Sequence, residues 1–163
     1  MTMQAPTRLA EHHALDAFDS GVVSLDDWLK RRARANQTSG ASRTYVVAED
    51  SRVIAYYALA SSNIAIHEAT GRLRRNMPEH IPVVTLARLA VDQGFQKRGL
   101  GRNLVQDAAK RVMAAADIIG IRGMIVHAIN DDARQFYLEM GFLPSPTSDM
   151  TLMVSLADLR ASI

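Results

Sequence analysis

Six consecutive residues combine the features of an anion-binding turn: Gln96, Lys97, Arg98, Gly99, Leu100 and Gly101. An apolar run before them predicts a buried strand, and an apolar stripe after them predicts a helix. The first amides of a helix lack intrahelical acceptors, and the helix dipole makes that end positive. Glycines let a phosphate approach the backbone closely. These six residues, the 96–101 loop, are predicted to bind pyrophosphate; an ordinary tight connection is the alternative.

Basic residues form two further candidate sites, although the net charge is only +2. The first cluster includes Lys30, Arg31 and Arg34, and the second consists of Arg72, Arg74 and Arg75. Patches of this kind attract phosphate polymers. On one continuous helix, Arg34 would share a face with Lys30 and Arg31. The second cluster is expected in an open loop; solvated surfaces are the alternative for both.

These candidates must be positioned by alternating strands and helices. Apolar and β-branched runs predict strands over residues 44–49, 53–60, 83–91, 124–129 and 151–156. Helices are predicted from Ser24, as the capping residue, to residues 36–40, over 100–120, and from Asn130 or Asp131 to Met140. A short helix over 9–18 is also expected. Residues 61–82 look irregular. The fold class is α/β, one domain over residues 1–163 with a mixed central sheet flanked by helices.

Composition excludes several classes of protein. There is no cysteine among the 163 residues, which excludes disulfides, thiolate zinc sites and a cysteine nucleophile. No apolar run is long enough to span a membrane, and the polar start does not resemble a signal peptide, so we expect a cytoplasmic protein. His127 is expected to be buried within a strand, whereas His12, His13, His67 and His80 are expected to be exposed; no metal site is predicted.

The spacing Gln-x-x-Gly-x-Gly after a central strand resembles the acetyl-CoA motif of the GNAT acetyltransferase superfamily. Downstream, Asn130 and the run from Ala133 through Phe136 and Tyr137 to Gly141 and Phe142 resemble that superfamily's next strand and helix. The resemblance implies that the amides of the 96–101 loop hold the pyrophosphate of acetyl-CoA. It further implies contacts to the acetyl and pantetheine groups from the backbone of Leu89, Ala90 and Val91 and from Asn130.

The same resemblance implies that Tyr137 is the catalytic acid, because a tyrosine hydroxyl can protonate the departing thiolate. Many members of the superfamily carry a carboxylate on the central strand as a general base. Here residues 83–91 contain none, and Thr85 and Arg88 are their only polar side chains. An α-amine, with a pKa of about 7.7–8.0, needs less help than lysine at about 10.4. Either a general base comes from elsewhere in the protein, or the acceptor amine needs little help. The second alternative favours an α-amine as the acceptor over a lysine side chain.

Most of the chain, from residue 18 to 156, resembles the GNAT toxins of bacterial toxin–antitoxin pairs, the TacT/AtaT-like group. The resemblance rests on Leu25-Asp26-Asp27-Trp28-Leu29, Tyr56-Tyr57-Ala58-Leu59 and Leu86-Ala87-Arg88-Leu89-Ala90-Val91-Asp92. It implies acetylation of the α-amine of an aminoacyl-tRNA, which blocks translation. It also implies a homodimer, a ribbon–helix–helix antitoxin as partner, and tRNA contacts from both basic clusters. The polar residues 144–149 depart from the pattern as an insert before the last strand.

Three other functions remain open. A GNAT enzyme that acetylates a small cationic amine would need an acidic acceptor cleft, whereas the loops here supply arginines. A protein N-terminal acetyltransferase also uses an α-amine. A non-catalytic CoA-binding module would be expected to have a damaged loop or no tyrosine, and both are intact.

Overall fold

The computed structural model describes residues 4–162. Within them the strands are β1 (Thr7–Arg8), β2 (Arg43–Glu49), β3 (Arg52–Ala65), β4 (His80–Val91), β5 (Gly123–His127), β6 (Leu143–Ser145) and β7 (Ser148–Ser155). The helices are α1 (Val23–Arg31), α2 (Ala33–Ser39), α3 (Gly71–Arg74), α4 (Leu100–Ala116), α5 (Asp131–Glu139) and α6 (Leu156–Ala161).

The strands form one seven-stranded sheet in the order β1-β2-β3-β4-β5-β7-β6. The β4–β5 pairing is parallel, whereas β1–β2, β2–β3, β5–β7 and β6–β7 are antiparallel. The predicted mixed sheet is therefore confirmed. The described chain divides into two compact units, and strands β3 and β4 each contribute to both. The first unit comprises residues up to Ala60 together with Ala87–Asp107, and the second comprises Ser61–Leu86 and residues from Ala108 onward. Within residues 4–162, no helix is long and apolar enough to cross a membrane.

Helix α1 and strand β3 build the core of the first unit. Tyr56 on β3 is fully buried, and its hydroxyl donates to the Leu25 carbonyl at 2.7 Å. Its ring stacks with Trp28 at 6.0 Å and meets the edge of Phe18 at 5.6 Å. Burying large aromatic rings supplies much of the stability of such a core.

The single helix predicted from Ser24 to residues 36–40 is wrong in two respects, although α2 ends at Ser39 within the predicted range. The position before α1 is Val22, which makes no side-chain cap, and Ser24 lies inside the helix. Arg32 then breaks the helix with φ −121° and ψ −31°. After the break, the Gln37 side chain donates to the Leu9 carbonyl at 2.7 Å and accepts from Thr44 N at 2.9 Å. These bonds tie α2 to the neighbouring segments and stabilise its separate direction.

The short helix predicted over residues 9–18 is also wrong. Leu9 N donates to the Thr44 carbonyl at 2.9 Å, and Ala14 forms a bridge with Arg52. Leu9, Leu15 and Phe18 are buried, so their apolar spacing reflects contacts to the sheet. The hydrogen bonds to β2 and β3 replace those of a helix.

Several predicted elements of the second unit are confirmed, and others were missed. Residues 61–82 are more regular than predicted, because β3 continues to Ala65, α3 forms one turn and β4 begins at His80. The supposed insert at residues 144–149 lies at the tip of the β6–β7 hairpin. Helix α5 begins where it was predicted, and Asn130 Oδ1 accepts from Ala133 N at 2.8 Å as its cap. Gly141, with φ +98°, follows the helix in the left-handed conformation that glycine tolerates.

Candidate functional site

The 96–101 loop joins β4 to α4 through two left-handed residues, Lys97 with φ +64° and Gly99 with φ +81°. Asn103 N donates to the Gly99 carbonyl at 3.1 Å as the first bond of the helix. The preceding helical amides therefore have no intrahelical acceptor. Turns that direct successive N–H groups into one concavity bind anions, and the helix dipole favours negative charge there. The predicted contact to pyrophosphate would use these amides.

The side chain of Gln96 holds the loop in place. Its Nε2 donates to the Ser20 carbonyl at 2.9 Å and to the Val91 carbonyl at 2.8 Å. Both amide protons are thus used within the protein, and the residue offers a ligand its backbone rather than its side-chain donors. The sequence motif identified Gln96 but not these partners, because Ser20 lies 76 residues away.

A buried carboxylate supports the same loop from the end of β4. Asp92 accepts from Gly94 N at 3.0 Å and from Asp19 N at 3.0 Å, and it pairs with Arg52 at 3.4 Å. Gln93 N in turn donates to the Asp19 carbonyl at 2.8 Å. Sequence reasoning missed this residue; a carboxylate directly after a central strand was the signal that could have indicated it.

Helix α1 is connected to the loop by a second buried carboxylate. Asp26 accepts from Ser20 N at 3.0 Å and from Ser20 Oγ at 2.6 Å. The Ser20 carbonyl receives the bond from Gln96. A continuous path of hydrogen bonds therefore runs from α1 through Ser20 to the 96–101 loop. The structure therefore gives Asp26 an anchoring role.

Residues 89–91 form the end of β4. The described parallel ladder with β5 covers residues 83–86 and stops at Leu86 opposite Val126. Leu89 and Val91 are half-buried and Ala90 is buried. The contacts of residues 89–91 to the acetyl and pantetheine groups stay a prediction. The Val91 carbonyl already accepts from Gln96.

Tyr137 lies in α5 of the second unit and is 6% exposed. Its ring packs against Phe136 at 5.1 Å and Phe142 at 5.6 Å, both edge-on. Burial raises the pKa of its hydroxyl, so the group keeps its proton at neutral pH, as a general acid must. No residue among 4–162 forms a hydrogen bond with the hydroxyl, which leaves the proton uncommitted within the described chain.

Asn130 and the histidines differ from expectation in detail. The Asn130 side-chain oxygen caps α5, so a contact to pantetheine would have to use the rest of the residue.

His127 was expected to be buried but is exposed, because it ends β5; its Nδ1 lies 3.0 Å from Thr151 Oγ1. His13 was expected to be exposed but is buried, and its Nδ1 accepts from Ala10 N at 2.9 Å. His12, His67 and His80 are exposed, as predicted.

The first basic cluster is divided by the helix break. Lys30 and Arg31 end α1, whereas Arg34 lies on α2, so the predicted common face is wrong. Arg34 donates to the His13 carbonyl at 2.7 Å and to the Ala10 carbonyl at 3.4 Å. Lys30 and Arg31 are exposed and have no partner within residues 4–162. The structure thus separates one anchored arginine from two uncommitted cations.

The second basic cluster is divided in the same way. The predicted open loop is wrong, since Arg72 and Arg74 lie in α3, which Thr70 caps. Arg72 forms a bidentate pair with Asp158 at 2.6 and 2.8 Å. Arg122, which sequence reasoning missed, donates to the Leu73 carbonyl at 2.9 Å and holds the end of the helix. Arg74 and Arg75 are exposed, and their guanidinium groups contact no partner in the described part of the chain.

Residues 10–142 match the acetyltransferase (GNAT) family. The chain is 48% identical to the tRNA-acetylating toxin of Mycobacterium tuberculosis (strain ATCC 25618 / H37Rv), over 98% of this chain and 96% of that protein. It is similar to the structure of AtaT complexed with acetyl-methionyl-tRNAfMet, with a TM-score of 0.90, 26% identity and 98% of each chain covered. A Tyr-to-Phe mutant of AtaT bound to the C-terminus of the antitoxin AtaR and acetyl-CoA gives a TM-score of 0.84 and 26% identity, with 99% of this chain and 97% of that chain covered.

The family match covers more than half of the chain, and it includes the 96–101 loop and Tyr137. The mixed sheet agrees with the fold that the sequence motifs indicated. The protein belongs to the GNAT family of acetyltransferases.

Proposed function

We propose that this protein transfers an acetyl group from acetyl-CoA to the α-amine of an aminoacyl-tRNA and thereby blocks translation. The observation that carries the proposal is the 48% identity to a tRNA-acetylating toxin over nearly the whole of both chains. The geometry of the candidate site supports it at three points: the cofactor loop, the acid and the nature of the acceptor amine.

Acetyl-CoA would be held mainly by backbone groups. The amides of the 96–101 loop would bind the pyrophosphate, and residues 89–91 with Asn130 would contact the pantetheine arm. The left-handed backbone at Lys97 and Gly99 and the hydrogen bonds of Gln96 support this proposal, because they fix the conformation of the loop before a ligand binds. When bound, acetyl-CoA supplies an activated thioester to the acceptor amine.

Tyr137 would act as the catalytic acid. Its buried hydroxyl is protonated at neutral pH and can give that proton to the departing thiolate as the amide bond forms. The amine nitrogen attacks the thioester carbonyl carbon, and the carbon–sulfur bond breaks. The extra proton on nitrogen goes to solvent, and the Tyr137 phenolate regains its proton from solvent. Loss of the proton from nitrogen needs no strong base if the amine is already neutral.

The acceptor amine follows from the absence of a carboxylate on β4. Residues 83–91 provide neither Asp nor Glu. An α-amine with a pKa of about 7.7–8.0 is partly neutral at pH 7, whereas lysine at about 10.4 is not. An aminoacyl ester therefore suits this site better than a lysine side chain does.

Four uncommitted cations are the strongest candidates for tRNA contacts: Lys30, Arg31, Arg74 and Arg75. Arg34 and Arg72 belong to the same clusters, but their guanidinium groups already bind the protein. Contacts to phosphates are the expected use of such side chains. A homodimer and a ribbon–helix–helix antitoxin stay predictions from the resemblance, and a cytoplasmic location stays a prediction from the sequence.

The test is acetylation of a fully charged tRNA pool by the purified protein with radiolabelled acetyl-CoA. We expect label on one or a few aminoacyl-tRNA species and none on the same pool after deacylation. Peptides with free N-termini and polyamines serve as competing acceptors. Preferential label on peptides would indicate a protein N-terminal acetyltransferase, and preferential label on polyamines would indicate a small-amine enzyme; either result would contradict the proposal.

A further inference from the structure

Arg88 lies in the apolar central strand β4 and is half-buried. Its Nη1 donates to the carbonyl of the adjacent Ala87 at 2.8 Å, and its guanidinium lies 5.2 Å from the centre of the Trp28 ring. No carboxylate among residues 4–162 forms an ion pair with it. The central strand thus contains a cation without an anionic partner in the described chain.

A guanidinium that is partly withdrawn from water normally gains an anion in exchange, because its desolvation is unfavourable. Stacking on Trp28 compensates only in part. The fork of an arginine also matches the oxygens of a phosphate or carboxylate, so an anionic ligand is the natural missing partner. Arg52, which also belongs to the first unit, differs from Arg88 because it pairs with the carboxylate of Asp92.

The position of Arg88 limits what that ligand is. Side chains alternate along a strand, so Arg88 and Ala90 share one face of β4. Ala90 packs in the cluster that contains Leu25, Leu29 and Tyr56, which places this face on the side of α1. Trp28 and the exposed Arg31 are three residues apart on α1 and therefore neighbours on its surface. A row of neighbouring side chains therefore runs from the exposed Arg31 through Trp28 to Arg88, and Arg88 lies directly before residues 89–91 at the end of β4.

We propose that Arg88, stacked on Trp28, binds a phosphodiester group near the 3′ end of the acceptor nucleic acid. The inference rests on the proposed function, since it takes the acceptor to be an aminoacyl-tRNA. It assigns the arginine a specificity role: an acceptor with a phosphate next to its aminoacylated nucleoside is bound, and an acceptor without one loses this contact.

The experiment compares two acceptors that carry the amino acid preferred by the wild-type protein. Aminoacyl-adenosine has no phosphate, whereas aminoacyl-CpA has one phosphodiester. For Arg88→Gln, we expect kcat/KM to fall about ten- to hundredfold with aminoacyl-CpA and charged tRNA, which is the usual worth of a hydrogen bond to a charged group. With aminoacyl-adenosine it should stay within about twofold of wild type. An equal loss with both small acceptors, or no loss with either, would overturn the inference.

Binding of an uncharged RNA minihelix that ends in CCA provides a readout independent of acetylation. Arg88→Gln should weaken binding and reduce the slope of log affinity against log salt by about 0.7–0.9, the contribution of one phosphate. Arg88→Lys keeps the charge and should restore part of the affinity. Arg32→Gln, which removes an exposed arginine between α1 and α2, is the matched control and should change neither quantity as much.

The two proposals fail in different ways. If wild-type protein binds the minihelix through Arg88 but acetylates no charged tRNA, the proposed function fails and the phosphate site stands. If charged tRNA is acetylated and Arg88→Gln behaves as wild type, the phosphate site fails and the function stands. Melting temperatures of the variants, and acetyl-CoA affinities within twofold of wild type, separate both cases from a disturbed fold.

Discussion

The 96–101 loop and the two basic clusters were both predicted to bind phosphates. In the structure the loop remains one continuous turn, whereas the members of each cluster differ in their partners. In the loop, left-handed Lys97 and Gly99 lead into α4, and the binding of pyrophosphate by its backbone stays a prediction. In the basic clusters, some cations form hydrogen bonds within the protein and others do not. Arg34 and Arg72 bind groups of the protein itself, whereas Lys30, Arg31, Arg74 and Arg75 remain exposed.

The two regions differ because the loop would bind phosphate through its backbone, whereas the clusters would bind it through side chains. The loop offers backbone N–H groups, whose direction depends on φ and ψ over a few consecutive residues. The function of a cationic side chain depends on which groups the fold brings next to it. Arg72 meets Asp158 across 86 residues of sequence, and Arg34 meets His13 across 21. Local backbone geometry can be inferred from spacing, but these partnerships cannot.

Tyr137→Phe tests the chemistry apart from both binding regions and should have the largest effect. Removing one oxygen retains the ring contacts to Phe136 and Phe142. If the hydroxyl protonates the thiolate, single-turnover acetylation should slow roughly 10²–10⁴-fold, which is the usual contribution of a general acid. Affinities for acetyl-CoA and tRNA should change little, because the lost interaction belongs to the transition state.

The controls for Tyr137→Phe are the melting temperature and acetyl-CoA calorimetry. A transfer rate within about threefold of wild type would show that the tyrosine has a structural role only, since threefold is far below the contribution of an acid. In cells, the variant should no longer arrest growth.

Gly99→Ala, with Gly40→Ala as the matched control, tests the loop side of the comparison. Both glycines are left-handed, with φ +81° and +86°. Apart from the adjacent residues in the chain, no described residue places an atom within 4 Å of a Cβ at either position. Both variants should therefore carry similar backbone strain, on the order of 1–2 kcal/mol. Only Gly99→Ala should weaken acetyl-CoA binding, by about tenfold or more, because its Cβ would crowd the pyrophosphate. Equal affinities by calorimetry would mean that the loop is an ordinary turn.

Neutralising arginines in matched pairs tests the other side of the comparison. Arg31→Gln and Arg74→Gln remove exposed cations, so tRNA affinity and its salt dependence should fall, by about one phosphate contact each. Arg34→Gln and Arg72→Gln remove protein contacts, so the melting temperature should fall more than tRNA affinity does. Nitrocellulose filter binding at several salt concentrations and thermal denaturation give both quantities for all four variants. If the four behave alike, the division of the clusters has no functional meaning.

The same contrast explains how much of the fold and site the sequence could reveal. The β2–β3 hairpin, β4, α4 and α5 were predicted because their apolar periods and turns are local features. The break at Arg32 was missed because Gln37 is drawn to Leu9 and Thr44, and the exposure of His127 was missed because its strand ends there. The path from Asp26 through Ser20 to Gln96 was invisible because each bond depends on tertiary structure.

The smallest expected effect is a change in the pKa of His13, because the charge of Arg34 is one of the causes that lower it. Burial lowers the pKa of the His13 ring, and the charges of His12 and Arg34 lower it further. The folded protein therefore binds fewer protons than the unfolded chain, whose His pKa is about 6.5. The stability that His13 contributes is fully present above that value and is lost as pH falls through the lower pKa of the folded state. Protonation would also remove the acceptor that Nδ1 offers to Ala10 N.

Replacing Arg34 by Gln should raise the pKa of His13 only slightly, because burial is the larger cause. NMR titration of the imidazole protons measures that pKa directly in wild type, Arg34→Gln and the control Arg31→Gln. Arg31 has no partner within the described residues, so its replacement should leave the His13 titration unchanged. A shift in Arg31→Gln as large as that in Arg34→Gln would show that Arg34 has no special contact with the segment around His13. The two arginines would then have to be regarded as equivalent surface cations, and the distinction between anchored and uncommitted members of the first cluster would be lost.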